Sequence, residues 1–195
     1  MIISDKFKFV YIDVPKTGSV SFERSFRENF SGKTVYPNHG KNLSKHCRKI
    51  PEHAKDYTTV VSVRNPYTRA ISLYSYHLRA TGMTTAEYSF ENFLDMIINN
   101  QEKYEKDNYL MYLSLHRYLS PIPLAESTHF IQLENAETQM NNLPFVSKSI
   151  KMPHRNDTKE KNNIEFSDTV IDKIKTWAGR DFELGGYDEN ITSFS

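Results

Sequence analysis

A lysine, a glycine and several hydroxyl side chains lie close together near the amino terminus, in the segment PKTGSVS. Lys16 supplies a positive charge, and Gly18 permits a tight turn ahead of a helix. The amides of residues 17–21 would then point from a helix N-terminus towards phosphate or sulfate oxygens, with the hydroxyls as further donors. The segment therefore indicates an anion site. The alternative is an ordinary helix start, in which Ser19 is the cap and Lys16 is a solvated charge.

A second group of candidate anion ligands occurs in the segment VRNPYTRAISLY. Arg64 follows a predicted strand, and Ser72 lies about two turns into the helix that follows, so both can reach one phosphate at the strand end. The planar guanidinium suits this task because it binds a phosphate through two parallel hydrogen bonds. The alternative is a surface arginine and a serine that the helix merely tolerates.

Both segments lie where a predicted strand gives way to a predicted helix. Residues 7–14 are rich in aromatic and β-branched side chains, which predicts a buried strand, and phenylalanines at a spacing of four predict a helix over 19–29. Residues 58–63 (TTVVSV) predict a second strand. Pro66 suits the first turn of a helix that runs to about residue 80.

The rest of the chain continues the alternation of strands and helices. The patterns predict a third strand at 129–133 followed by a short helix, and further helices at 43–50, 90–99, 109–118 and 169–177. Alternation of this kind favours an α/β fold with a central parallel sheet flanked by helices, in which ligands bind at the carboxyl ends of the strands. No linker or repeat divides the chain, so we predict one domain over residues 1–195.

Composition excludes several classes of function. The 195 residues carry a formal net charge of +1, too small for a global field that would hold nucleic acid or an anionic membrane. The first residues contain no apolar run long enough for a signal peptide or a membrane span, which predicts a cytoplasmic protein. The single cysteine, Cys47, is interpreted as a small buried thiol, and no cluster of side chains has metal-ligand spacing.

Taken together, the two segments resemble the cofactor motifs of sulfotransferases that use 3′-phosphoadenosine 5′-phosphosulfate (PAPS). PKTGSVS looks like the family's PKTGSTS loop and departs from it at Val20, while VRNPYTRAISLY is similar to VRNPxxRxxSxY. Three later segments, FIQLENAE, MPHRNDT and RDFELGGY, resemble further family segments in the expected order. The resemblance thus extends over nearly the whole chain.

The resemblance implies a single P-loop-like three-layer domain related to the carbohydrate O-sulfotransferases, with PAPS as co-substrate and no metal. Lys16 would stabilise the leaving oxygen, and Arg64 with Ser72 would bind the 3′-phosphate. The 5′-phosphosulfate would be held by the loop residues Thr17, Gly18, Ser19, Val20 and Ser21. Eukaryotic members of that family carry an N-terminal membrane anchor. Because the first residues here contain no such apolar run, we expect a compact cytoplasmic form that acts on a carbohydrate.

A general base must take the proton of the acceptor hydroxyl, and histidine is suited to this near neutral pH. His39 is the first candidate, and His154 in the segment PHRND is the second. Asn156 either orients substrate or cofactor, or only forms a turn. Alternatives to a carbohydrate sulfotransferase are an inactive nucleotide- or glycan-binding module of the same fold, a sulfotransferase for peptide tyrosine or a small alcohol, and a P-loop kinase.

Overall fold

A computed structural model describes residues 1–30, 33–34, 47–153 and 164–190. The chain divides into two compact units. The first comprises residues 1–64 and 118–157, and the second comprises residues 65–117 and 158–195. The single domain over 1–195 stays a prediction.

The first unit is built on a five-stranded sheet in the order β3-β1-β2-β4-β5. Its strands are β1 (Ile2–Ser4), β2 (Phe9–Ile12), β3 (Lys33–Thr34), β4 (Thr58–Val63) and β5 (His129–Gln132). β2, β4 and β5 run parallel, whereas β1 runs antiparallel to both of its neighbours, β2 and β3. The predicted α/β class with a central parallel sheet is therefore confirmed. The observed sheet is mostly parallel, and the antiparallel strands are an addition that the sequence did not predict.

The described residues form seven α-helices. They are α1 (Ser19–Asn29), α2 (Pro66–Thr81), α3 (Phe90–Asn99), α4 (Gln101–Lys106), α5 (Leu115–Leu119), α6 (Ala136–Asn141) and α7 (Asp168–Gly185). Short 3₁₀ helices occur at Glu52–Ala54, Leu110–Tyr112 and Leu133–Asn135. None of the helices within this described part of the chain is long and apolar enough to cross a membrane.

Aromatic side chains hold α1 against the sheet in the first unit. Phe22 and Phe26 recur every fourth residue and are fully buried, because that spacing places them on one face of a helix. The ring of Phe26 lies 4.8 Å from that of Tyr11 and 5.2 Å from that of Phe9, both on β2. This packing fixes the direction in which α1 leaves the sheet.

The second unit is helical around an aromatic core. Buried side chains from α2, α3 and α7 form it, among them Tyr67, Tyr74, Phe93, Trp177 and Phe182. α7 continues to Gly185, eight residues beyond its predicted end, and bends at Ala178, which leaves helical geometry. The predicted helices at 19–29 and 90–99 and the strand at 58–63 agree with α1, α3 and β4.

The predicted helix at 109–118 is wrong as one continuous element. The structure has a 3₁₀ turn and then α5, separated by Leu113 in extended backbone conformation. Arg69 donates from Nη2 to the carbonyl of Leu113 at 2.8 Å, a contact that the local pattern does not contain. Of the helix predicted at 43–50, residues 43–46 lie outside the described residues, and 47–50 form no regular element.

Candidate anion site at the carboxyl edge of the sheet

The candidate site begins at the edge where the three parallel strands end. The register pairs Ile12 with Val61 and Val63 with Gln132, so the carboxyl ends of β2, β4 and β5 lie together. Residues 13–18 form the loop from β2 to α1, and Arg64 directly follows β4. The predicted anion loop and the arginine therefore leave the same edge of one sheet, on neighbouring strands.

The start of α1 carries no side-chain cap. Its N-cap residue is Gly18, and its first turn contains no acidic residue. The amides of Ser21 and Phe22 both bind the carbonyl of Gly18, at 2.9 and 3.2 Å. Ser19 is the first residue of the helix and not its cap, so the ordinary helix start with a Ser19 cap is wrong. An uncapped N-terminus offers its amides and the positive end of the helix dipole to an anion.

Gly18 is required by both conformation and space. Its backbone is left-handed, with φ of 79°, and a Cβ atom at this position would collide with Cδ1 of Leu133. Leu133 follows β5 in the segment FIQLENAE, so that segment meets the anion loop at the same edge of the sheet. The loop is thereby kept close to the sheet.

Lys16 also adopts a left-handed backbone conformation, with φ of 67°, and its side chain is half-buried. Such a conformation costs a non-glycine residue roughly 1–2 kcal/mol, and strain of this size concentrates at functional sites. The lysine and the glycine two residues later together give the loop its sharp path from β2 into α1.

Thr17 turns its hydroxyl into the protein. The side chain is 1% exposed, donates to the carbonyl of Val14 at 2.9 Å and lies 2.6 Å from Oγ of Ser62 on β4. Ser62 Oγ is in turn 2.9 Å from the hydroxyl of Tyr11. The Thr17 hydroxyl thus anchors the loop, and what this residue can offer to an anion is its amide.

The two residues predicted for the 3′-phosphate belong to different units. Arg64 is half-buried at the end of β4 in the first unit, and Ser72 is half-buried on α2 in the second. Arg69 of the same segment is 1% exposed, and its Nη1 lies 3.6 Å from Asp181 Oδ2. This arginine is therefore a buried, ion-paired residue of the second unit. The shared phosphate contact of Arg64 and Ser72 stays a prediction.

His39, His154 and Asn156 lie outside the described residues. Several other histidines have contacts within one unit. His77 Nδ1 is 3.2 Å from the hydroxyl of Tyr112, and burial lowers the pKa of this imidazole. Nε2 of His116 accepts from Arg180 at 3.0 Å. Through these contacts both histidines pack within the second unit.

Sequence reasoning missed the buried tyrosines that hold the loop. Tyr11 binds Ser62, and Tyr118 donates its hydroxyl to the carbonyl of Asp13 at 2.9 Å. A usable signal was present, because a tyrosine or serine inside a buried strand needs a hydrogen-bond partner. Which partner it takes depends on contacts that are distant in sequence.

No group of three or more metal-ligating side chains is found in the described ranges. The chain matches the model of the sulfotransferase family over residues 1–188. No curated protein and no solved structure matches it significantly. The family match spans the anion loop, the arginine after β4 and all the described helices. The chain therefore belongs to the sulfotransferase family, and its chemistry is sulfuryl transfer.

Proposed function

We propose that the protein is a PAPS-dependent O-sulfotransferase whose acceptor is a carbohydrate hydroxyl. The observation that carries this proposal is the uncapped start of α1. It follows Lys16 closely in sequence, at the carboxyl edge of the sheet. Within a sulfotransferase, this is the place where amides and a positive charge suit the 5′-phosphosulfate. The anionic end of PAPS would lie against residues 16–21.

The chain's own residues have to bind the donor in line with the acceptor and stabilise developing charge. The acceptor oxygen forms a bond to sulfur while the bond from sulfur to the bridging phosphate oxygen breaks, which leaves 3′-phosphoadenosine 5′-phosphate. Lys16 stabilises the negative charge on that bridging oxygen, and the amides of residues 17–20 hold the phosphosulfate oxygens. The Ser21 amide of the predicted set is bound to the Gly18 carbonyl, so Ser21 can offer only its hydroxyl. As in phosphoryl transfer, positioning and preorganised charge supply most of the rate. The scheme requires no metal.

Selection of PAPS over ATP is assigned to Arg64 and Ser72. Arg64 offers two parallel donors to the 3′-phosphate and Ser72 adds a hydroxyl. Calorimetry should show that 3′-phosphoadenosine 5′-phosphate binds at least tenfold more tightly than AMP, because charge-assisted hydrogen bonds contribute roughly 1.5–3 kcal/mol each. Equal affinities for the two nucleotides would remove this assignment. Asn156 is proposed to orient the substrate or cofactor.

His39 is proposed as the general base that takes the acceptor proton, with His154 as second candidate. His39→Ala should lower kcat about 10²–10⁴-fold while leaving nucleotide affinity and melting temperature unchanged. His154→Ala is the matched variant and should have a smaller effect. An active His39→Ala enzyme beside an inactive His154→Ala enzyme would transfer the role to His154.

The proposed acceptor class rests on the resemblance to carbohydrate sulfotransferases. The test is transfer from ³⁵S-labelled PAPS to panels of glycans, tyrosine peptides and small alcohols, with and without EDTA. We expect labelled glycan in both conditions. Label on peptide or alcohol alone would change the acceptor class. Retention on immobilised 3′,5′-ADP with no transfer to any panel would instead indicate an inactive binding module.

A further inference from the structure

A chain of buried hydroxyl groups connects the sheet to the anion loop. It runs from Tyr11 on β2 through Ser62 on β4 to Thr17 and ends at the carbonyl of Val14, with successive separations of 2.9, 2.6 and 2.9 Å. Tyr11, Ser62 and Thr17 are each at most 1% exposed. Solvent therefore cannot replace any member of the chain.

The hydrogen bonds in this chain have one consistent direction. The Val14 carbonyl can only accept, so Thr17 gives it its single hydroxyl proton. Ser62 must then donate to Thr17, and Tyr11 must donate to Ser62. Burial raises the pKa of Tyr11 well above its ordinary value, so the phenol stays protonated and remains a donor near neutral pH.

A second tyrosine holds the preceding peptide group. Tyr118, fully buried, donates its hydroxyl to the carbonyl of Asp13 at 2.9 Å. Two consecutive carbonyls at the start of the loop are thus drawn towards buried donors. A loop that binds an anion gains from this, because a carbonyl oxygen turned towards the anion would repel it.

We propose that Tyr11, Ser62 and Tyr118 are positioning residues for donor binding: they fix the carbonyls of Asp13 and Val14 and so preorganise residues 16–21 for the 5′-phosphosulfate. The inference rests on the proposed function. It adds to that function three residues that never touch the nucleotide and still set its affinity. They act through Thr17 and through the two peptide groups.

The test uses the full chain with 3′-phosphoadenosine 5′-phosphate as probe, measured by calorimetry well below the melting temperature. Ser62→Ala, Tyr11→Phe and Tyr118→Phe should each weaken binding about three- to tenfold, the range expected for losing one buried neutral hydrogen bond. In the Ser62→Ala background, Tyr11→Phe should weaken binding little further, because the series of hydroxyl hydrogen bonds is already interrupted at Ser62. Thr17→Ser should retain affinity, whereas Thr17→Val should lose it.

The matched control is Tyr67→Phe. Tyr67 is equally buried and donates to the carbonyl of Glu189 at 2.7 Å in the second unit, so its variant should lose melting temperature without losing affinity. Ser62→Ala and Tyr118→Phe proteins that melt earlier yet bind with wild-type affinity would overturn the positioning role and leave the proposed function intact. Wild-type protein that fails to bind the probe would overturn the proposed function itself.

Discussion

The starts of the long helices differ in one respect that bears on function. Of the four described helices with ten or more residues, α2, α3 and α7 are capped by the side chains of Asn65, Ser89 and Ser167, which accept from amides of the first turn. α1 has Gly18 as its N-cap residue and therefore has no side-chain cap. The starts of α2, α3 and α7 are thus capped by side chains of the protein, whereas the start of α1 is open, meaning that no side chain caps it.

The difference separates stability from binding. A side-chain cap typically stabilises a helix by about 1 kcal/mol, and α1 forgoes that contribution. Its amides keep their hydrogen-bonding capacity for a ligand instead, beside a lysine and a glycine in left-handed conformations. We propose that the open helix start at the carboxyl edge of the parallel sheet serves to bind the sulfate donor.

The largest expected effect is that of Lys16→Ala. Turnover should fall by about two orders of magnitude, because one preorganised charge at the leaving oxygen is removed. Lys8→Ala is a matched control, since Lys8 lies in the same unit, also has a left-handed backbone (φ 53°), and donates to Tyr57. Steady-state rates with labelled PAPS should show near-normal turnover for Lys8→Ala only. Similar losses in both variants would point to a general charge or folding effect.

A smaller effect is expected from Gly18→Ala, which should weaken binding of 3′-phosphoadenosine 5′-phosphate about tenfold and lower the melting temperature. The added methyl group meets the side chain of Leu133, so either that side chain or the loop has to shift. Gly82→Ala, at the end of α2, has a similar φ of 74° but nothing within 4 Å of the new atom. It should cost only the strain, roughly 1–2 kcal/mol, and leave affinity unchanged. Equal losses of nucleotide affinity in Gly18→Ala and Gly82→Ala would contradict a specific role of Gly18 in binding.

The smallest expected effect is that of removing a side chain that caps a helix. Ser167→Ala removes the cap that accepts from the amide of Val170 at 3.3 Å. The free energy of unfolding should fall by about 1 kcal/mol, seen as a melting temperature lower by about 2–4 °C. Nucleotide affinity should not change. A loss of affinity here would blur the distinction between capped and open helix starts.

The sequence predicted the elements whose patterns are local. β4 is a run of β-branched residues and α3 has helical periodicity, and both occur at the predicted bounds. β1 was missed because the three residues IIS carry no periodicity, and their strand exists through pairing such as that of Ile2 with Tyr11. At the break in the predicted helix, the Leu113 carbonyl likewise binds a partner distant in sequence, Arg69, 44 residues earlier.

The candidate site divides in the same way. The position of the anion loop followed from a strand, a glycine and a helix that are contiguous in sequence. The orientation of the Thr17 hydroxyl did not, since its partner Ser62 lies 45 residues away on another strand. Nor could residue types alone decide between Gly18 and Ser19 as the helix cap, because both are common at that position.

We propose that the open start of α1 binds the anionic end of the nucleotide. Val20 lies in the first helical turn and is 42% exposed, so it accepts a larger side chain without disturbing the core. Val20→Glu places a negative charge beside the proposed position of the phosphosulfate, and Val20→Gln is the neutral control variant. A glutamate in the first turn interacts favourably with the positive end of the helix dipole. The melting temperature of the Val20→Glu protein should therefore equal or exceed that of the Val20→Gln protein.

The deciding measurement is the affinity of the two Val20 variants for 3′-phosphoadenosine 5′-phosphate by calorimetry at low ionic strength. We expect Val20→Glu to bind about tenfold more weakly than Val20→Gln, because two negative charges a few ångströms apart repel. Raising the salt concentration should narrow the difference. Equal affinities at low salt would contradict the placement of the anion at the start of α1.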